Sequence, residues 1–354
     1  MKLKLQYFAD AGTLVNTTQN YVNAYDGTDT DFSGANSLTS TMKTYYDTEL
    51  LENARPELVH AQFGRKQALP ANRGKSVEWR KWNTLADASQ LTEGVIPTGQ
   101  KLGQSSINAS ISQYGTYVSV SDQLELHAID DVILGATEEL GASAGSTMDK
   151  LIRNVLVQGT SVIYADKIGT GGAATEVTER TGLDETAKLT PTMVNKAVTY
   201  LKKMKAPKFA DGKYIAIIHP SVAYDLRQSD EWIEAHKYAS VKEIYTGEIG
   251  ELHGVRFVET TEAKVVKVTT GQSPSQVTRA VYLTLFLGRD AFGEIDPDGA
   301  GMEMIIKDKS EVGGPLNQFS TIGYKFSTAT KILYEDRMVR VESCSEYSDV
   351  DEEN

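Results

Sequence analysis

The sequence predicts an α+β protein in which a long two-stranded hairpin, one long helix and a mixed α/β part follow one another. Two patterns carry this prediction. Apolar and polar residues alternate in short runs between 63 and 117, and apolar residues recur at helical spacing between 122 and 157. The length of 354 residues suits about two globular parts, at roughly 150 residues per domain.

The composition narrows the class of protein. Hydrophobic residues at 40% and charged residues at 24% are typical of a soluble globular chain. No apolar run approaches the ~20 residues that cross a bilayer, so no membrane association is expected. The start MKLKLQYFAD has too few apolar residues for a secretory signal, which favours a cytoplasmic origin. The single Cys344 cannot form an intrachain disulfide.

Charge is unevenly distributed along the chain. The net charge of −12 argues against a protein whose main role is to bind nucleic acid. Residues 62–115 nevertheless hold seven basic against three acidic side chains. A basic segment attached to an acidic body suits docking on another copy of the same chain. A solvated basic hairpin is the alternative.

The N-terminal third consists of an arm, a helix and the hairpin. Residues 1–40 are polar and lack periodicity, so we expect an extended arm that becomes ordered only on another surface. Thr41–His60 has helical spacing until Pro56 interrupts it. Val77–Trp82 and Ile107–Val120 alternate and are expected to pair as antiparallel strands. Because an isolated two-stranded ribbon is marginally stable, it needs a partner surface.

The helix predicted between Asp122 and Val157 contains Gly135, Gly141 and Gly145. Each glycine costs about 1 kcal/mol of helix stability relative to alanine. We therefore expect a close neighbour at these positions, with a kink at Gly141 as the alternative.

The remaining chain alternates between helices and strands. Thr190-Pro191 is a helix start, Tyr214–Pro220 resembles a buried strand, and Pro220 begins a further helix. Further strands are expected at 255–258, at 280–287 and in the strand-rich stretch 318–342. The final YSDVDEEN is expected to be a solvated acidic tail.

A search for catalytic or ligand-binding motifs yields little. The five histidines lack metal-ligand spacing, GTGGAA lacks the dinucleotide-binding pattern, and DPDGAG lacks the later ligands of a calcium loop. His219 and Asp225 could form a base with an orienting carboxylate, but His219 also precedes a helix-initiating proline. We predict no catalytic residue, no cofactor and no metal site.

A set of stretches between residues 40 and 342 carries a family resemblance through its order. These stretches are STMKTYYDTELLENARPELVHAQFG, LPANRGKSVEWRKWNTL, LTEGVIP, QYGTYVSVSD, MDKLIRNVLVQG, IIHPSVAYDLR, GELHGVRFVET, LFLGRDAFG and GGPLNQFSTIGYKF. The sequence resembles the major capsid proteins of tailed bacteriophages with the Hong Kong 97 (HK97-like) fold, closest to the phage N-four branch.

The resemblance implies a domain order for the HK97-like fold. It comprises an N-terminal arm and first helix (1–61), the extended loop or E-loop (62–117), the spine helix of the peripheral domain (118–159), the axial domain (160–305), strands returning to the peripheral domain (306–345) and an acidic tail (346–354). The implied function is a shell protein whose hexamers and pentamers close around double-stranded DNA without sequence-specific binding. The implied location is the virion, after assembly in the bacterial cytoplasm.

The implied partners are other copies of the chain, with separate scaffold, portal and decoration proteins. The residues that we expect at contacts between subunits lie on the hairpin: Arg73, Lys75, Trp79, Arg80 and Lys81. A solvated strand face is the alternative for them. Two other functions stay open, an encapsulin-like nanocompartment shell and, in a different class, a soluble hydrolase that uses His219.

Overall fold

The computed structural model divides the chain into two compact units. Unit 1 comprises Met1–Leu58, Gln113–Met148 and Gly299–Thr328, and unit 2 comprises Val59–Ser112, Asp149–Asp298 and Ala329–Asn354. The structure describes residues 13–16, 23–25, 58–69, 75–82, 85–88, 90, 93, 96, 99–127, 132–169, 172–236, 248–270, 277–297, 301–312 and 316–354.

The secondary structure of the described residues mixes short helices, one long helix and many strands. The helices are α1 (Asp122–His127), α2 (Val132–Leu156), α3 (Pro191–Lys203), α4 (Pro220–Arg227) and α5 (Asp230–His236). The strands up to the middle of the chain are β1 (Thr13–Asn16), β2 (Asn23–Tyr25), β3 (Arg65–Leu69), β4 (Ser76–Trp82), β5 (Gln104–Ser110), β6 (Ser112–Ser121), β7 (Val162–Tyr164), β8 (Lys167–Ile168) and β9 (Ala174–Thr175). The later strands are β10 (Tyr214–Ile218), β11 (Glu248–Leu252), β12 (Val255–Glu259), β13 (Val265–Thr270), β14 (Val277–Leu287), β15 (Phe292–Pro297), β16 (Glu303–Lys307), β17 (Phe319–Ile332) and β18 (Met338–Ser343).

Unit 1 is built on a sheet with the strand order β2-β1-β6-β17-β16. β1 runs parallel to β6, with Val15 opposite Ser119, and β16 runs antiparallel to β17. The five consecutive residues 320–324 of β17 are all buried, and the Tyr324 hydroxyl lies 3.3 Å from Ser143 Oγ on α2. The arm predicted over residues 1–40 therefore contributes β1 to this sheet, while the helix predicted over Thr41–His60 lies almost wholly outside the described residues.

Two glycines allow β6 and β17 to approach closely. A Cβ at Gly323 would lie 2.6 Å from the Tyr117 Cβ and 2.7 Å from the Thr116 carbonyl oxygen. A Cβ at Gly115 would lie 2.5 Å from the Tyr324 carbonyl oxygen. Any larger residue at either position would push backbone atoms apart.

The predicted long helix appears as α1 and α2, with residues 128–131 between them outside the described part of the chain. Gly141 and Gly145 are buried, as the expectation of close packing requires. That expectation is wrong at Gly135, which is exposed, and no described atom lies within 4 Å of where its Cβ would be.

Unit 2 contains a sheet with the order β11-β12-β10-β14-β18-β7, and β13 pairs with β14. The helix starts predicted from the sequence are confirmed. The Thr190 side chain accepts a hydrogen bond from Met193 N at 3.4 Å, and α4 begins at Pro220. The buried strand expected at Tyr214–Pro220 is β10, whose five residues are all buried.

A second strand group in unit 2 joins distant parts of the sequence. β3 runs parallel to β15, with Arg65 opposite Gly293, and the end of β17 pairs antiparallel with β15.

Among the described residues, no helix is both long and apolar enough to span a bilayer.

The C-terminal segment corrects one sequence-based expectation. Most side chains of residues 346–354 are exposed, as expected of an acidic tail. The segment is not free in solvent, however, because the Ala280 backbone N–H donates to the Asp349 carbonyl at 2.8 Å. Side-chain contacts with unit 2 also hold it, and they are described below.

We predict opposite effects for two glycine substitutions in unit 1. Gly135→Ala should raise the free energy of unfolding by about 1 kcal/mol, because alanine is the better helix former at an exposed position. Gly323→Ala should lower it by about 1–3 kcal/mol through overpacking. Denaturant unfolding of the purified chain measures both. Equal effects of the two substitutions would contradict the close approach of β6 and β17.

Candidate assembly interface

The predicted hairpin is present as the ribbon, residues 76–110, in which β4 and β5 pair and residues 83–103 connect them; its distal half comprises Trp82 and this connection. The two strands are antiparallel, with Trp79 opposite Ile107 and Arg80 opposite Ser106, which confirms the expected pairing for the first part of the predicted second strand. The prediction is wrong for residues 112–120, which belong to β6 and pair with β1 and β17 instead. Val77 and Trp79 are buried, whereas Arg80 is exposed. One face of the ribbon root is therefore apolar and covered, and the other is polar.

The buried face packs on the second strand group of unit 2. Trp79 is 7% exposed and clusters with Val77, Ala109, Ile295, Ala329 and Leu333. A Cβ at Gly293 would lie 3.0 Å from the Trp79 ring, so the absence of a side chain there makes room for the indole. Trp79 therefore lies in the interior of its own subunit, and we do not carry it into the proposed contact surface.

The other predicted contact residues differ in their surroundings. Lys75 and Arg80 are exposed, and Arg80 Nε lies 3.6 Å from Glu78 Oε1 on the same strand. Lys81 Nζ lies 4.5 Å from the centre of the Tyr334 ring, a cation–π contact within unit 2. Arg73 lies outside the described residues. The predicted contact residues therefore differ: Lys75 and Arg80 are exposed, whereas Lys81 is engaged within its own chain.

The distal half of the ribbon exposes apolar side chains that the sequence analysis did not single out. Ile96 is 94% exposed and Trp82 is 60% exposed, and Leu85 and Leu102 are also exposed. The signal for them was present, because they lie in or beside a Gly- and Pro-containing turn region that has no core. Large apolar side chains that stay exposed within one segment of a chain can mark a protein–protein contact.

A side-chain amide ties the two sides of this distal half together. Gln100 Oε1 accepts a hydrogen bond from Ala86 N at 2.9 Å, and Gln100 Nε2 donates to Ala86 O at 3.0 Å. The two bonds imitate one step of a strand pairing between residues beyond the ends of β4 and β5.

A buried charge network in unit 2 fixes the residues that directly follow the C-terminal end of α2. Arg180 donates two hydrogen bonds to the buried Glu342 carboxylate, at 2.6 and 2.7 Å, and Arg340 Nε donates to it at 2.8 Å. Arg340 also donates to the Val157 and Gly159 carbonyls, the latter at 3.2 Å. The hydrogen bonds that Arg180 donates to Glu342 raise the pKa of the Arg180 guanidinium above its ordinary value. Breaking such a buried network is costly, so it holds β18 and the end of α2 in fixed positions.

A second buried pair fixes the segment that precedes the ribbon. His60 N donates to Asp149 Oδ1 at 2.7 Å, and His60 Nδ1 lies 2.6 Å from Asp149 Oδ2. Both side chains are buried. One carboxylate thus binds the backbone and the side chain of His60, which attaches this segment to α2.

The hydrolase alternative loses its base in the structure. His219 Nδ1 accepts a hydrogen bond from Ser221 N at 3.2 Å, which makes His219 the N-cap of α4. The Asp225 carboxylate accepts hydrogen bonds from Glu346 N instead of orienting His219. Burial lowers the pKa of His219. In the part of the chain that the structure describes, no cluster of three potential metal-binding side chains occurs.

Comparison with models of protein families identifies the family to which this chain belongs. The family model described as "Phage capsid protein" matches residues 104–313, more than half of the chain. The chain belongs to the phage capsid protein family. No curated protein sequence matches it. The family is one of structural capsid proteins.

Solved phage capsids share the fold of this capsid protein at low sequence identity. The cyanophage P-SCSP1u capsid is 15% identical, with 82% of this chain and 89% of that chain covered and a TM-score of 0.58. The Ralstonia phage GP4 capsid is 14% identical, with coverages of 81% and 88% and the same TM-score of 0.58. The cyanophage Pam1 capsid is 13% identical, with coverages of 83% and 92% and a TM-score of 0.58. The expected α+β, HK97-like fold is confirmed.

We predict different effects on stability for substitutions of two tryptophans on β4, one buried and one exposed. Trp79→Ala should lower the free energy of unfolding by about 3–5 kcal/mol, because a large buried side chain is removed. Trp82→Ala, the matched control, should change it by about 0.5 kcal/mol or less. Guanidinium unfolding followed by circular dichroism measures both. A loss at Trp82 as large as that at Trp79 would contradict the intramolecular packing.

The only cysteine provides a pH-dependent prediction. Burial raises the pKa of the Cys344 thiol to about 11 from 9.0. At pH 8 the native thiolate fraction should then be about a hundredfold below that of the unfolded chain, since each pKa unit is a factor of ten. Alkylation by iodoacetamide should be correspondingly slow in buffer and fast in urea. Equal rates would show that Cys344 is accessible.

Proposed function

We propose that this capsid protein is the major shell protein of a tailed double-stranded DNA bacteriophage, with hexamers and pentamers that close into an icosahedral head. Family membership and the HK97-like fold support the shell. The observation that carries self-assembly is the ribbon, whose root is fixed in unit 2 while its distal half exposes Leu85, Ile96 and Leu102. Such a surface is stabilised when another copy covers it.

We further propose that the ribbon is the extended loop and that it docks on a neighbouring subunit. The basic character of residues 62–115 and the acidic remainder of the chain support this partner, because opposite charges favour the correct encounter. Lys75 and Arg80 are the exposed basic residues that we assign to the contact, with Arg73 beside them in sequence. Residues 118–159, 160–305 and 306–345 keep their proposed roles as spine helix, axial domain and returning strands.

The remaining details rest on the resemblance alone. We propose a place near the phage N-four branch, assembly in the bacterial cytoplasm, and separate scaffold, portal and decoration proteins as partners. The enclosed DNA would be held without sequence-specific contacts, in agreement with the net charge of −12.

Charge reversal on the ribbon tests the docking. Lys75→Glu with Arg80→Glu should abolish or strongly reduce shells in electron micrographs of the expressed protein, because the ribbon would then repel an acidic neighbour. The wild-type yield should fall as salt is raised. Lys202→Glu with Lys203→Glu, exposed residues at the end of α3, is the control with the same change in net charge.

Two outcomes would count against the proposal. Shells of the ribbon variant with wild-type yield and salt dependence would remove the charge-pair contact. A wild-type chain that stays monomeric at every salt concentration, alone and with other virion proteins, would remove the shell function.

A further inference from the structure

Residues 346–354, called here the strap, follow the surface of unit 2 after β18. At its root, Glu346 N donates to both oxygens of the Asp225 carboxylate at 3.2 and 3.1 Å. Ser345, the residue before the strap, donates from Oγ to the Ser221 carbonyl at 2.9 Å. The strap therefore begins at a fixed point on α4.

The centre of the strap is held through one carboxylate. Asp351 accepts hydrogen bonds from the Tyr282 hydroxyl at 2.6 Å, from Ser221 Oγ at 3.1 Å and from Ser348 Oγ at 2.6 Å. Two of these donors, Tyr282 and Ser221, lie outside the strap, and Tyr282 is part of the core of unit 2, with its ring against His219 at 4.9 Å between centroids. Burial and then the Asp351 carboxylate raise the pKa of Tyr282, so its hydroxyl stays a donor at neutral pH.

The far end of the strap pairs with backbone groups. The Asn354 side chain accepts a hydrogen bond from Val265 N at 3.0 Å and donates to the Ala263 carbonyl at 3.1 Å. Between the root and the centre, the Ala280 N–H donates to the Asp349 carbonyl. The Asn354 side-chain amide thus satisfies one backbone donor and one backbone acceptor, as a neighbouring strand does in a sheet.

Charge complementarity accompanies these hydrogen bonds. Three lysines of unit 2 pair with three strap glutamates: Lys188 with Glu346, Lys267 with Glu352 at 2.8 Å, and Lys264 with Glu353 at 3.9 Å. Each exposed pair contributes little by itself. Together they make the surface under the strap selective for an acidic segment.

Apolar burial contributes little to holding the strap, although the Tyr347 and Tyr224 rings lie 5.4 Å apart between centroids. Tyr347 is 68% exposed and Val350 is 72% exposed, although they are the only large apolar side chains between 346 and 354. The binding groups are thus side-chain donors, backbone groups and lysines fixed in unit 2. Main-chain hydrogen bonds and pairing of basic side chains with an acidic motif are recurring ways in which folded domains bind extended peptides.

We propose that this face of unit 2 is a binding site for an acidic peptide, which the strap occupies in cis. The site selects an extended segment with an aspartate at the position of Asp351 and a side-chain amide three residues later, flanked by glutamates. The proposal concerns unit 2 alone, so it stands or falls independently of shell assembly. A tethered segment has an effective concentration in the millimolar range, and therefore a free peptide binds only when the tethered one is weakened.

The test uses the full-length chain with Asp351→Ala and Asn354→Ala, which weaken the strap and leave the receiving surface unchanged. A fluorescein-labelled EYSDVDEEN peptide should bind this variant saturably in fluorescence anisotropy. Its affinity for the wild type should be at least about tenfold weaker, because the site is filled. A peptide with asparagine in place of the aspartate that corresponds to Asp351 should bind with an affinity at least about tenfold lower, since the charged acceptor is gone.

A receptor variant completes the design. Tyr282→Phe, added to the strap variant, keeps the ring and removes the hydroxyl, and it should also weaken peptide binding by about tenfold. If the double strap variant does not show the wild-type circular dichroism, Asp351→Asn alone replaces it. Amide exchange of Val265 and Ala280 gives an independent readout, since both N–H groups donate to the strap.

Exchange at Val265 and Ala280 should rise in the strap variant and fall again when the peptide is added. Two results would overturn the proposal. Unchanged exchange in the strap variant would show that these contacts do not hold the strap. Faster exchange without peptide binding or renewed protection would show that the surface has no affinity for the free segment.

Discussion

A two-stranded ribbon has no interior of its own, and in this capsid protein the packing of Trp79 against Gly293 supplies the missing one. Two residues after Trp79, Lys81 lies over the Tyr334 ring, and Arg337 lies over the same ring. The root of the ribbon is consequently part of the unit 2 core. A ribbon fixed at its root loses less conformational freedom when it binds a neighbour, which favours association.

Local patterns were sufficient to predict several elements of the fold, but not strands such as β11, β13, β15 and β16. Alternation identified β4 and β5, and Thr190-Pro191 and Pro220 marked true helix starts. The partners of these elements could not be read in the same way. Alternation showed that Trp79 and Val77 share an apolar face, but the residues that cover them follow more than 200 positions later in the sequence. Trp79 was therefore predicted to contact a neighbouring subunit, although the residues that cover it lie in its own chain.

The strap illustrates the same limit for charge. A run of acidic residues predicts solvation when only its own composition is considered. Lys188, Lys264 and Lys267 come from separate segments, and only the folded sheet brings them to one surface. Summed charge thus predicts the sign of a partner but does not locate it. The Glu342 network escaped prediction for this reason too, because Arg180 is far from Glu342 in sequence.

Comparing magnitudes separates the roles of charge and apolar surface in the proposed association. An exposed ion pair contributes about 0.2–1 kcal/mol. Full burial of a leucine or isoleucine side chain contributes about 1.5–3 kcal/mol. Leu85, Ile96 and Leu102 would therefore outweigh Lys75 and Arg80 in affinity if a neighbour covered them. Charge would act on the rate and selectivity of encounter, since complementary charges steer partners before apolar surface is buried. The basic segment that the sequence emphasised is then what directs docking, and the apolar distal half is what retains it.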